Sequence, residues 1–482
     1  MPDTSNPVAR RQKLIVLCDG TWCGSETNTQ SNINLLAGMI GAMPAPNPTH
    51  AQPIPYGGHD PGVQACYFPG SGLGGTFLEY LFNATSGDDI AKDCIEVYRY
   101  IVTRYSRDQE IWMFGLSRGS YTVRCVAGMI NNCGIIKMQN PDGRWLGAGT
   151  VDRLCHEVYN IYRSPYPEDR PNAKSSMEFK RRVSHDVPTP IKFMGLLDTV
   201  GAMGVPKFDS GIGLTFPQFH DQIISSVVEK VYHACAIHDR LWIFEPCRAF
   251  RVADPSRPEL EVHERWFPGC HYDIGRQRFR FFPNGKDVIQ RTISWALGPL
   301  SNVIEPNHVL ADLVLKWMLE SIEKQDPHGM VIRNIDEEIA NLNTNMKAPI
   351  RNTGSGDVYG SILDYGPGGQ LYQVGVHAAN GIVSYLNKLF PLAHLGTAIQ
   401  DFFDLKLIIN VLAATRDRRI GDHNAVLTLY KCESIQLGGQ SIQNLAWIDP
   451  QVRRRYPSRT YENFQEYLTA IQGIPSRESR PD

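Results

Sequence analysis

The 482-residue chain reads as an α/β protein: a doubly wound, mostly parallel sheet with helical insertions and a C-terminal extension. Three observations predict this. Short, almost uninterrupted apolar runs recur along the first two thirds of the chain, as strands buried on both faces require. They alternate with longer segments whose apolar residues fall three or four apart, the mark of helices covering such a sheet. Several runs end in a small or acidic residue opening a loop, as in Cys18-Asp19-Gly20 and Leu197-Asp198.

The elements follow in order. Residues 1–12 are polar and read as a disordered tail. Lys13–Cys18 (KLIVLC) is a buried strand, Ser31–Met43 a helix, and Val63–Phe68 a second strand. Gly87–Tyr105 is a helix, with Ile90, Cys94, Val97 and Ile101 on one face. Glu110–Phe114 is a strand and Tyr121–Ile130 the helix behind it. Val151–Tyr162 reads as helical, Ser164–Pro190 as polar and Pro-rich, and Ile191–Leu197 as a strand. A helix is expected within Pro217–Ala236, a strand at Val262–Phe267 and an amphipathic helix at Val309–Ile322. Met330–Gly375 is expected to be irregular, and Ala378–Ala414 helical. The main domain is expected to span 13–332 and the extension 333–482, packed on the core as a cap.

Composition narrows the function classes. A hydrophobic fraction of 42% and a charged fraction of 20% are those of a globular protein, and a net charge of −2 gives no argument for nucleic acid, so no nucleic-acid partner is expected. Eleven cysteines without C-x-x-C spacing argue for buried free thiols rather than a disulfide framework or a metal site. No run of 18 apolar residues is present, so no membrane span is expected, although peripheral contact is compatible with the sequence. The N-terminus has no apolar signal core, and the expected location is cytoplasmic. Gly70-Ser71-Gly72-Leu73-Gly74-Gly75 fits G-x-G-x-x-G. It lacks the acidic residue that a dinucleotide fold puts at the end of the next strand, so no cofactor is expected and the segment reads as a glycine loop near the pocket.

The chemistry concentrates at Gly115-Leu116-Ser117-Arg118-Gly119, a G-x-S-x-G with a strand before it and a helix after it. That is the nucleophile elbow of an α/β-hydrolase, with Ser117 as nucleophile. A serine hydroxyl is weak and needs a histidine base oriented by a carboxylate, in the chain order Ser, Asp/Glu, His. Asp198 closes one strand and His271 follows another, in that order. The rival bases are His238, His233 and His423. His238 reads as an exposed residue near a helix end, and His233 as structural at helical spacing. Asp273 is the rival acid, or else a loop brace. An oxyanion hole needs two backbone donors. The N–H of Arg118 is the natural first, and the loop carrying Gly20 and Thr21 the natural source of the second, with Asp19 bracing that loop.

The segments LCDGTW (17–22), GLSRGSYTVR (115–124), LLDTVGAMG (196–204) and WFPGCHYDIG (266–275) occur in the order of one α/β-hydrolase family, and LADLVLKWMLE (310–320) resembles its helix after the histidine loop. The family includes the bacterial type VI secretion phospholipase effectors, and the resemblance covers about residues 13–332. It implies a triad of Ser117, Asp198 and His271 and an esterase or phospholipase acting on a small-molecule or lipid ester. The chain departs from the family after Gly275, where Arg276-Gln277-Arg278-Phe279-Arg280 replaces further glycines. The expected activity is a serine hydrolase cleaving a carboxylic ester. An acyltransferase using the same triad, or a silent hydrolase-fold binding module, are the alternatives.

Overall fold

A computed structural model describes residues 11–20, 30–44, 57–70, 87–201, 223–239, 244–278 and 305–348, apart from 108, 141, 189, 252–255 and 258. It also describes 207–209, 213–215, 418, 430–432, 435–437, 440–442, 466 and 469. The strands are β1 (Lys13–Cys18), β2 (Met43–Pro44), β3 (Val63–Phe68), β4 (Glu110–Leu116), β5 (Ile191–Leu197), β6 (Lys207–Asp209), β7 (Gly213–Thr215), β8 (Val228–Ala236), β9 (Glu261–Phe267), β10 (Tyr430–Cys432), β11 (Ile435–Leu437) and β12 (Gln440–Ile442). Eight form one sheet in the order β10-β9-β8-β5-β4-β1-β3-β2. Every pairing in it is parallel. The pairs β6–β7 and β11–β12 are separate antiparallel ribbons.

Central position explains the apolar runs. β1 lies between β3 and β4, and all six of its residues are buried. Its side chains alternate between two cores, as the period-2 geometry of a strand requires. Ile15 and Leu17 face one helical layer, and Leu14 and Val16 the other. The first layer holds α1 (Asn32–Ile40), α7 (His308–Gln325) and α8 (Ile335–Asn345). The second holds α2 (Gly87–Arg104), α3 (Arg118–Cys133), α4 (Ala148–Arg163) and α5 (Lys174–Val183). Between β9 and α7 runs the short helix α6 (His271–Gly275). Aromatic rings stack across neighbouring strands on the first face: Trp112 on Phe193 at 4.9 Å, Phe193 on Tyr232 at 5.0 Å, and Tyr232 on His263 at 4.5 Å.

Two expectations are corrected. Val228–Ala236 is strand β8, not a helix, and runs between β5 and β9. Val228, Val231, Tyr232 and Cys235 imitate helical spacing only because both faces of the strand are buried, where periodicity loses its power to discriminate. The stretch after Met330 is not wholly irregular. α8 places Ile335, Ile339 and Leu342 on one side, packed on the first core, with Asp336, Glu337 and Glu338 in its first turn, where they favour the helix dipole. The Pro-rich stretch 164–190 also carries α5. β10 adds a strand from beyond residue 333 to the edge of the main sheet. The expected helix at 378–414 lies outside the described residues.

Parallel pairing sends the carboxyl ends of β1, β4, β5, β8 and β9 to one edge. Chain order reverses direction at β1, with β3 on one side and β4 on the other. Such a switch point opens a crevice at the carboxyl ends of the strands, where open α/β sheets bind their ligands. Asp19 and Gly20 follow β1, Ser117 follows β4, Asp198 follows β5, His238 follows β8 and His271 follows β9.

Candidate active site

Ser117 sits between β4 and α3 with φ 54 and ψ −118, a conformation that non-glycine residues avoid. The flanking glycines make this turn possible. A Cβ on Gly115 would lie 2.5 Å from Ser120 Cα, and one on Gly119 would be driven into the carbonyl oxygens of Cys18 and Asp19. The elbow is tied to β5: the Ser117 N–H donates to Leu197 O at 2.8 Å, and the Leu197 N–H donates to Ser120 Oγ at 3.2 Å. Ser117 is also the N-cap position of α3, so the helix begins at Arg118 and directs its positive dipole end toward the serine.

Three sequence-predicted residues meet here. His271 Nε2 is 2.9 Å from Ser117 Oγ, and His271 Nδ1 is 2.7 Å from Asp198 Oδ2. All three side chains are buried. With the carboxylate accepting from Nδ1–H, Nε2 is left as the acceptor for the serine hydroxyl. β5 and β9 are separated by β8, so the loop after β9 folds back across two strand ends to bring its imidazole to the elbow. Three contacts hold it there. The His271 N–H donates to Asp239 Oδ2 at 2.9 Å, and Phe244 stacks on the imidazole at 4.5 Å with an interplanar angle of 11°. Asp273 secures the helix itself, accepting from the N–H groups of Cys270 and Asn307 at 2.8 Å each.

Asp198 is held by more than His271. It too has a positive φ, of 40°. Its carboxylate accepts from the Ala236 N–H (2.9 Å), from His271, and from both Nη atoms of Arg418 (2.7 and 2.9 Å). Burial works to raise its pKa. The Arg418 charge and the hydrogen bonds from His271 and Arg418 outweigh that and hold the carboxyl well below the usual carboxylate range.

The remaining expectations divide. Asp19 accepts from Ser31 Oγ at 2.5 Å, Tyr67 Oη at 2.6 Å and the Gly20 N–H at 2.8 Å, so it braces the loop after β1. That last bond engages the Gly20 N–H with Asp19. Thr21, His423 and residues 71–75 lie outside the described residues. His238 is buried rather than exposed, and its Nδ1 accepts from the Gly269 N–H at 2.9 Å. His233 lies on a strand, with Nε2 3.1 Å from Thr199 Oγ1, and burial lowers its pKa to about 4. His233, Cys235 and Glu264 are the one group of metal-type donors among the described residues. Glu264, however, is already paired with Arg248 and accepts from Trp266 Nε1 at 2.6 Å. Arg276, the cationic departure after Gly275, takes a left-handed conformation and binds Asn32 Oδ1 (3.0 Å) and Asp312, fastening α6 to α1 and α7.

Sequence reasoning missed Arg418, Asp239 and Phe244. Asp239 adjoins the rival base His238, whereas Arg418 sits among other arginines in Arg416–Arg419 with nothing local to single it out. Among the described residues, no helix is long and apolar enough to cross a membrane.

The comparisons with known proteins now bear on this geometry. The family model described as "T6SS, Phospholipase effector Tle1-like, catalytic domain" matches residues 12–321. The uncharacterized protein YEL023C of Saccharomyces cerevisiae is 24% identical over 200 residues, which are 38% of this chain and 26% of the yeast protein. The chain thus matches about a quarter of the yeast relative's length. Two solved structures have TM-scores of 0.28 and 14% identity, values too low to carry an argument. One is the Tle1 effector bound to the VgrG spike from the Type 6 secretion system (69% of this chain, 79% of that one). The other is an uncharacterized protein from Pseudomonas aeruginosa (80% and 55%). The family match spans well over half of the 482 residues and contains Ser117, Asp198 and His271. The chain therefore belongs to the Tle1-like phospholipase effector catalytic domain family.

Proposed function

We propose that this protein is a serine hydrolase that cleaves the carboxylic ester of a lipid or lipid-like substrate through an acyl-enzyme on Ser117. The observation that carries the reading is the unbroken chain from Ser117 Oγ to His271 Nε2 (2.9 Å) and from His271 Nδ1 to Asp198 Oδ2 (2.7 Å). Ser117 Oγ attacks the ester carbonyl carbon as His271 Nε2 takes the hydroxyl proton. Asp198 keeps the imidazole in the tautomer that can accept it and stabilises the cation that forms. The negative charge on the carbonyl oxygen falls near the α3 N-terminus, where the Arg118 N–H is the first donor. His271 returns the proton to the departing alkoxide, leaving an ester on Ser117. Water, deprotonated by the same imidazole, then releases the acid. The strained backbone at Ser117 supports the reading, since such strain collects where a side chain must be presented in one geometry.

The substrate class comes from family membership and the location from the thiols. The nine cysteines whose side chains are described form no disulfide, which supports a reducing compartment such as the cytoplasm. Full-length wild type and Ser117→Ala are compared on a panel of monomeric acyl esters and phospholipid vesicles, with fluorophosphonate labelling. The expected result is turnover and a serine-linked adduct in the wild type and neither in the variant. Turnover that survives Ser117→Ala overturns the proposal.

A further inference from the structure

We propose that Arg418 is a positioning residue for the reaction, an arginine supplied by the C-terminal part of the chain that holds the Asp198–His271 pair in its working geometry and protonation state. This rests on the serine hydrolase reading above and extends it to a residue beyond the 12–321 matched by the family model.

The contact is specific. Arg418 Nη1 donates to Asp198 Oδ1 at 2.7 Å and to Ala236 O at 2.8 Å, while Nη2 donates to Asp198 Oδ2 at 2.9 Å and to Phe244 O. One planar guanidinium thus grips both carboxylate oxygens and two backbone carbonyls, a fork that a lysine ammonium cannot reproduce. Phe244 is also the ring stacked on His271, so the same cation steadies the acid and the segment that flanks the base. Both partners are buried, Arg418 at 4% exposure and Asp198 at 0%, so water screens the pair little.

The chemistry explains why such a partner is useful. A carboxylate taken fully out of water tends to bind a proton, and a protonated Asp198 cannot accept from His271 Nδ1–H. Arg418 opposes that. Its charge keeps Asp198 ionised to lower pH than the buried carboxylate would stay without it. The other ionisable groups around the pair are accounted for. Asp239 accepts from the His271 N–H, Asp273 is tied to the N–H groups of Cys270 and Asn307, His238 accepts from the Gly269 N–H, and Cys235 and His233 lie on β8 behind Asp198. Burial raises the pKa of both Asp239 and Cys235, and lowers that of His233. Arg418 is therefore the full positive charge in direct contact with the pair among the described residues.

The test uses the full chain as wild type, Arg418→Met and Arg418→Lys, each checked for folding by circular dichroism and thermal unfolding. kcat and KM for an acyl ester, and the rate of fluorophosphonate labelling, are followed from pH 4 to 9. Arg418→Met is expected to lower kcat at neutral pH about tenfold or more, to leave KM within about twofold, and to move the acidic limb of kcat/KM upward by about one pH unit. Arg418→Lys keeps the charge, so its limb stays near the wild-type position while kcat recovers only in part. A folded Arg418→Met with the wild-type limb overturns the proposal. So does an equal loss of activity in both variants with no movement of the limb, which marks a merely structural contact. If Arg418→Met does not fold, Arg418→Gln carries the test, and an unmoved limb there is equally fatal. A wild type without serine-dependent turnover overturns both this proposal and the hydrolase reading. An active wild type with an unmoved limb in the variants overturns this one alone.

Discussion

Asp198→Asn exposes the logic of the site most directly. Asp198 Oδ1 accepts from the Ala236 N–H and Arg418 Nη1, and Oδ2 from His271 Nδ1 and Arg418 Nη2. All four donate to the carboxylate, and an amide replaces one acceptor by an NH₂ group. If that NH₂ faces His271, Nδ1 must become the acceptor. The ring proton then moves to Nε2, which points at Ser117 Oγ and cannot take its proton. Loss of the correct tautomer in a Ser-His-Asp triad costs roughly 10⁴ in kcat, or about 5.5 kcal/mol of transition-state stabilisation. In either orientation the NH₂ group also meets an Arg418 Nη, and the guanidinium loses its counter-charge. Breaking one side of a buried ion pair costs about 3–5 kcal/mol of folding stability. Asp198→Asn should therefore lose both rate and stability, whereas Asp198→Asn/Arg418→Met should regain stability and stay inactive. Steady-state hydrolysis of a chromogenic acyl ester gives the first quantity and urea unfolding the second. A folded Asp198→Asn with kcat/KM within about tenfold of wild type refutes the assignment.

Five further outcomes follow from particular contacts. Ser117→Gly should be more stable than Ser117→Ala by about 1 kcal/mol in chemical denaturation, because glycine relieves the positive φ at the elbow and alanine retains it. Gly119→Ala should cost about 3 kcal/mol or more, since its Cβ meets backbone oxygens that cannot swing away. Gly38→Ala, in mid-helix with nothing within 4 Å, should gain about 0.5–1 kcal/mol in the same measurement. Acid should weaken the fold through Asp198. Its pKa is depressed in the folded state, so its contribution is complete above about pH 4, the unfolded value, and is lost as pH falls toward the folded one. Unfolding midpoints measured between pH 6 and 3 should decline less in Asp198→Asn than in wild type. Finally, burial pushes the thiols of Cys66, Cys133 and Cys155 up to about 12. Alkylation mapped by mass spectrometry should leave those three unmodified in the native protein and reach the half-buried Cys247 first among the nine cysteines whose side chains are described.

Legibility followed the range of the forces involved. The strand Lys13–Cys18 was readable because a central parallel strand needs apolar side chains on both faces, and that demand is written in consecutive residues. The same demand hid β8, whose doubly buried Val228–Ala236 imitates helical spacing. The elbow was readable because its strain must be relieved within five residues, and glycines at 115 and 119 are the local solution. Asp198 and His271 were legible as strand-end residues in the chain order Ser, Asp, His. The reach of His271 over β8 and β5 to a bond of 2.9 Å was not, since it depends on which strands become neighbours.

The sequence by itself determined most of the alternation of strands and helices and the tight Gly115–Gly119 turn, because each is set by periodicity or by steric needs confined to a few residues. Only the tertiary structure decided that Asp273 secures a helix while Asp198 takes the imidazole, that Asp19 holds the Gly20 N–H, and that Arg418 closes on the acid. Those outcomes are electrostatic. A buried carboxylate takes its partner from whatever donor the packed fold brings within about 3 Å, and separation along the chain carries no information about that distance.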